Sequence, residues 1–160
     1  MTESNEDRRI SNRKRACMLE YGNSLVCVDP SLGILELIGK EIVSRLAFAE
    51  TVDRLRTAVE ENGLKVVSAI DAQQNLKKIG QQSGGNQILE VFNPRLAAEV
   101  FEKDLRAGIV PPIRIYIYED KGSTHVAAQN ASTLFSEYNG LEELGKRVDE
   151  MLLSILKVIE

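Results

Sequence analysis

The sequence is poor in the residues that carry most protein chemistry. It has one histidine, His125, and two cysteines, Cys17 and Cys27, in 160 residues. Two cysteines with no second pair form neither a disulfide framework nor a zinc pattern. Free, inert thiols in a reducing compartment are expected, since the only cations beside either are Arg13, Lys14 and Arg15 next to Cys17. No GxxxxGK[ST] phosphate loop occurs. No apolar run approaches the roughly 18 residues of a membrane span, and the first residues lack the apolar stretch of a signal peptide. Positive charge is also short: the formal net charge is -4, which disfavours generic nucleic-acid binding. The expectation is a soluble cytoplasmic protein with no cofactor, no metal and no membrane partner.

What is present is an ordinary globular mixture, 43% apolar and 28% charged, enough for one domain with its own core. Residues 1–16 set Glu3, Glu6 and Asp7 against Arg8, Arg9, Arg13, Lys14 and Arg15, and only Ile10 could be buried. Such a segment cannot offset its ordering entropy and is expected to be a disordered tail; the alternative is a basic arm for RNA or an acidic partner. Residues 17–40 read as an extension, with candidate strands at Leu25–Val28 and Ile34–Ile38 around an Asp29-Pro30-Ser31 turn.

The domain proper is expected over 41–160. Glu41–Phe48 reads as a strand. A helix over Thr51–Asn62, with Val52, Leu55 and Val59 on one face, stops at Gly63. Leu64–Ile70 is β-rich. Asp71 then opens a short helix with Gln74 at capping-box spacing, Leu76 and Ile79 pointing inward and Gly80 as the stop. After a Gln81–Asn86 loop, Ile88–Phe92 is a strand. Asn93-Pro94 begins a helix whose stripe is Leu96, Ala97, Val100 and Phe101, and Gly108 and Pro111-Pro112 prevent its continuation. Along Ile113–Tyr118 the isoleucines 113, 115 and 117 alternate with Arg114, Tyr116 and Tyr118. Asp120-Lys121-Gly122 turns the chain into Thr124–Gln129. Leu141, Leu144, Val148, Met151, Leu152, Ile155 and Ile159 mark a long amphipathic C-terminal helix, with Asn139 and Glu142 as its cap and N3 partner. This order predicts an α+β domain: a mostly antiparallel sheet with helices packed on one face.

The stretch Glu90-Val91-Phe92-Asn93-Pro94, then Pro111 and Ile113–Glu119, resembles the domain of unknown function 302 family. Glu50-Thr51-Val52, Ile70-Asp71, Gly80 and Tyr118-Glu119-Asp120 add to the likeness by their order and spacing, over about Phe48–Ile159. The resemblance implies a curved antiparallel sheet backed by helices, likened to the TATA-binding-protein-like saddle, and a homodimer, without an activity. Many members look like Ile-Asp-His where this chain has Ile70-Asp71-Ala72, and some carry cysteine at the positions of Phe92 and Pro112. A role for those side chains would not carry over.

Three residues are candidates for a ligand. His125 is the natural base near neutral pH, with Asp71 or Glu119 as the carboxylate an enzyme would need; a surface strand residue is the plainer reading. Asp71 and Asn93 each start a helix, and the two starts could form a small-molecule site, although capping accounts for both. Arg114, Tyr116 and Tyr118 form an outward row that suits a dimer interface, a solvated cross-strand cluster or stacked bases, in that order given the charge. No catalytic or metal residue is assigned. The expected function is a dimeric module that binds a small molecule or protein partner. The alternatives are an enzyme built on His125, or nucleic-acid binding by the sheet.

Overall fold

A computed structural model describes residues 18–21, 24–27 and 38–160. The chain divides into two compact units, Met1–Glu36 and Leu37–Glu160. In the first, strands β1 (Met18–Tyr21) and β2 (Ser24–Cys27) pair antiparallel, with Met18 opposite Cys27. The strand expected at Leu25–Val28 is thus found one residue earlier, and its partner had no signal of its own. The expected tail at 1–16, Cys17, the Asp29-Pro30-Ser31 turn and all but the last residue of the Ile34–Ile38 strand lie outside the described residues.

The second unit is built on a five-stranded sheet in the order β3-β7-β6-β5-β4. Its strands are β3 (Ile38–Val43), β4 (Lys65–Asp71), β5 (Asn86–Phe92), β6 (Ile113–Asp120) and β7 (Ser123–Gln129). Every neighbouring pair is antiparallel. At the β6–β7 turn Lys121 and Gly122 both have positive φ, 49° and 83°, the conformation a two-residue hairpin turn needs. The helices are α1 (Phe48–Glu61), α2 (Ala72–Lys78), α3 (Pro94–Lys103), α4 (Ala131–Phe135) and α5 (Glu142–Leu156).

The alternation along β6 decides the layering. Ile115 and Ile117 are 0% exposed and Ile113 is 5% exposed, and all three join one core with buried residues of α1, α3, α4 and α5. Burying such side chains stabilises by about 1.5–3 kcal/mol each, before ordering costs. α1 contributes Val52, Leu55, Ala58 and Val59. It ends at Gly63 (φ 74°), where Leu64 N–H bonds the Val59 carbonyl and Gly63 N–H that of Glu60. That paired closure is the reason the helix stops there.

Several boundaries differ from the sequence expectation. The strand drawn from Glu41 to Phe48 ends at Val43, and α1 starts at Phe48. Ser44 and Thr51, both buried, bond hydroxyl to hydroxyl at 2.8 Å, and the Leu46 backbone bonds both, which turns the chain between strand and helix. Ile79 and Phe101 are 72% and 45% exposed rather than inward. α2 buries none of its residues, and Ile79 lies beyond it at the C-cap. The Phe101 ring instead lies over Gly108, where a Cβ would meet it at 2.9 Å. α5 begins without the expected Asn139 cap: fully buried Leu141 holds the N-cap position, after Gly140 at φ 81°. Packing of Leu141 places this helix start, not a side-chain oxygen.

Candidate interaction surface on the open sheet face

The face opposite the core is built from alternate residues of all five strands. β3 supplies Glu41 and Val43; β7 supplies His125, Ala127 and Gln129; β6 supplies Arg114, Tyr116 and Tyr118. β5 supplies Asn86, Ile88 and Glu90, and β4 supplies Ser68 and Ile70. None of these residues is fully buried. Val43 and Ile70 are 56% and 41% exposed, large apolar side chains on a surface that no buried helix residue shares.

At its centre three rings stack. Tyr116 and Tyr118, two apart on β6, have centroids 4.9 Å apart at 18°. Tyr118 and His125, directly opposite on β7, have centroids 5.0 Å apart at 16°. Offset stacks of this kind are worth about 0.5–1.5 kcal/mol beyond area burial. Polar groups fix both ends. Asn86 Nδ2 donates to the Tyr116 hydroxyl at 2.7 Å. The Tyr118 hydroxyl donates to Glu41 Oε1, and His125 Nδ1 stands 3.7 Å from that same oxygen. The hydrogen bond to the Glu41 carboxylate pushes the Tyr118 phenol up to about 12, with desolvation and the charges of Glu41 and Asp120 acting in the same direction. Beside the stack, Arg114 Nε bonds Glu90 Oε1 at 3.2 Å, and Arg114 N–H bonds Gln129 Oε1 at 3.0 Å.

The other candidates lie elsewhere. Asp71 is opposite Gln87, in the row that runs through Ile117 to Val126, so it stands on the core side three strands from β7. That is about 14 Å from the strand of His125, through the sheet. Asp71 caps α2 through Gln74 N–H at 2.8 Å and accepts from Gln87 Nε2 at 3.3 Å. Glu119 turns to the opposite side from Tyr118 and accepts from Gly85 N–H at 2.5 Å. The structure brings neither carboxylate to His125; it brings Glu41. Asn93 follows the end of β5 while Gln87, beside Asp71, is near its start, so the two helix starts are about 20 Å apart. They do not form one site. Both functions of the Asn93 amide are engaged: its oxygen accepts from Arg95 and Leu96 N–H, and its nitrogen donates to the Gly63 carbonyl at 2.7 Å. The apolar cavity beside it measures about 30 Å³, room for a water and far short of the ~300 Å³ of a small-molecule site. A polar hollow of about 350 Å³ lies beside α2, lined by Gln73, Gln74, Lys77, Gln81, Gln82 and Ser83, without Asp71. Among the described residues no group of three His, Cys, Asp or Glu side chains could hold a metal.

Sequence reasoning found the tyrosine row and His125 and missed Glu41 and Asn86. Glu41 is 77 residues from Tyr118, and only the pairing of β3 with β7 brings it there.

Residues 40–159 match the family model described as Domain of unknown function DUF302. The chain belongs to that family. A solved structure titled as an uncharacterized conserved protein DUF302 from Bacillus stearothermophilus is similar to it, with a TM-score of 0.71 at 23% identity over 76% of this chain and 97% of that one. That likeness shows the fold. No curated protein matches. The DUF302 segment contains the whole five-stranded sheet except the first two residues of β3. Among the described residues, no helix is long and apolar enough to cross a membrane.

Proposed function

We propose that this DUF302 chain is a binding module whose working surface is the open sheet face, and that a second copy of the chain docks there. The observation that carries this reading is the polar-bounded Tyr116–Tyr118–His125 stack, flanked by Val43 and Ile70, on a face that buries no residue. Tyrosine and arginine are the residue types enriched at protein interfaces. An open sheet face suits another protein surface better than a small molecule, for which enclosure matters. Five strands about 4.8 Å apart and six to eight residues long offer on the order of 500 Å² per copy, or roughly 1,000 Å² for two. That meets the lower limit of a specific interface and predicts a reversible dimer. Charge argues against nucleic acid: the face carries Glu41, and its Arg114 is already paired with Glu90.

Sedimentation velocity over a concentration series tests this. The wild type should move from monomer to dimer, and Tyr116→Ala with Tyr118→Ala should weaken the dimer by at least about tenfold while leaving the circular-dichroism spectrum unchanged, as expected for losing interface aromatics. A wild type that stays monomeric throughout, or a double variant that dimerises equally well, overturns the proposal. Retention of labelled single-stranded or duplex probes at low salt would favour the nucleic-acid alternative instead.

A further inference from the structure

The Glu41–Tyr118–His125 cluster stands where a docking copy would cover it. Glu41 and His125 side chains are 47% and 23% exposed in the single chain, and both lose water when a second sheet closes over them. A carboxylate taken out of water needs hydrogen bonds and a countercharge. Tyr118 supplies one hydrogen bond. Among the described residues, the remaining group within reach is the His125 ring, 3.7 Å away, which offers a countercharge only when protonated.

Among the described residues, the surroundings leave that task to His125. From β6, Tyr118 stacks on it and stays neutral, and Asp120 extends the acidic field of this corner; from β3, Glu41 faces it. Of the nearby basic residues, Lys40 on β3 pairs with Glu160, and Arg45, beyond the end of the strand, also acts on that acid. Arg114 is held by Glu90. His125 is moreover the only histidine of the chain, so no other imidazole competes for the assignment of a pH dependence.

We infer that docking of the second copy is coupled to protonation of His125, so that the open face closes more tightly in mildly acidic than in alkaline solution. This rests on the reading of that face as the dimer contact. The sign follows from linkage: if the closed state holds a proton on His125 that the open state releases, association gains as pH falls through the histidine range and loses as it rises.

The experiment is sedimentation velocity of the full chain at pH 5.5 and pH 8, for wild type, His125→Gln and Glu41→Gln. Both values lie above the ordinary carboxylate range, and His125→Gln separates the histidine from the acids. The wild-type dimer should be at least about tenfold tighter at pH 5.5, one proton per copy allowing up to about a hundredfold per pH unit. Both variants should still dimerise, with less than a twofold difference between the two pH values. Glutamine at 125 keeps a hydrogen-bond donor without the titration. A wild type that dimerises equally at both values, or more tightly at pH 8, overturns the coupling and leaves the dimer reading intact. The coupling is also overturned if His125→Gln keeps the wild-type dependence. A protein monomeric at every pH and concentration overturns the open-face reading and the coupling with it.

Discussion

Tyr118 is the residue whose behaviour reports most directly on its surroundings. Its hydroxyl faces the Glu41 carboxylate, so losing its proton would set two anions together, and the phenol is pushed up to about 12. The native phenol holds its proton more tightly than an unfolded one near 10, so this contact stabilises the fold fully below pH 10. The contribution fades as pH rises from about 10 through about 12. Tyr118 should titrate near pH 12 by ultraviolet absorbance, and Glu41→Gln should bring it back toward 10. An unchanged titration in that variant would show that the carboxylate is not the cause. Gly85 is a second sensitive residue. A Cβ there would lie 2.5 Å from the Phe48 ring, and the Gly85 N–H bonds Glu119. Gly85→Ala should lower stability by about 1–3 kcal/mol in urea unfolding, the usual cost of overpacking.

At the scale of elements, the helix starts at Asp71 and Asn93 are anchors. Asn93 both caps α3 and ties it to the Gly63 carbonyl at the end of α1. Asn93→Ala should therefore cost more than Asp71→Ala, which removes the α2 cap and a longer contact to Gln87: about 2 kcal/mol against about 1 by thermal or urea unfolding. Neither change should alter dimerisation, since neither residue is on the open face. The caps at Asp71 and Asn93, the alternation of β6, the Lys121-Gly122 turn and the α1 face were legible in the sequence, because each is written within a few neighbouring residues, whereas the expected Asn139 cap was not found. What escaped depended on distant partners. α4 is held by its own Asn130 cap and by Asp149 of α5, whose carboxylate accepts from Ala131 and Ser132 N–H. Gly145 of α5 lets the two helices touch, its would-be Cβ 2.8 Å from Ser132 Cα. No local pattern announces such a pair. The candidate site divides in the same way: the rings of β6 and His125 could be read along the chain, whereas Glu41 joins them only through the register of β3 on β7.

For the molecule as a whole, the sheet separates two tasks. One face carries the isoleucines and packs the helices; the other carries the tyrosines, histidine and paired charges, and among the described residues none of its members is fully buried. Truncation of a core residue should therefore cost the most, and truncation of a ring less. Ile115→Ala should cost about 2–5 kcal/mol in stability, whereas each single ring variant should cost on the order of 1–2 kcal/mol, the loss of its stack and hydrogen bond. Membership of the DUF302 family establishes the frame in which these faces stand. The most direct measurement of the central claim is tyrosine and histidine side-chain NMR on a dilution series. A face that docks a second copy predicts concentration-dependent shifts at Tyr116, Tyr118 and His125, with the ring of Tyr138, which packs against the core, unmoved. Shifts confined to other surfaces, or none over a range in which a dimer forms, would contradict it.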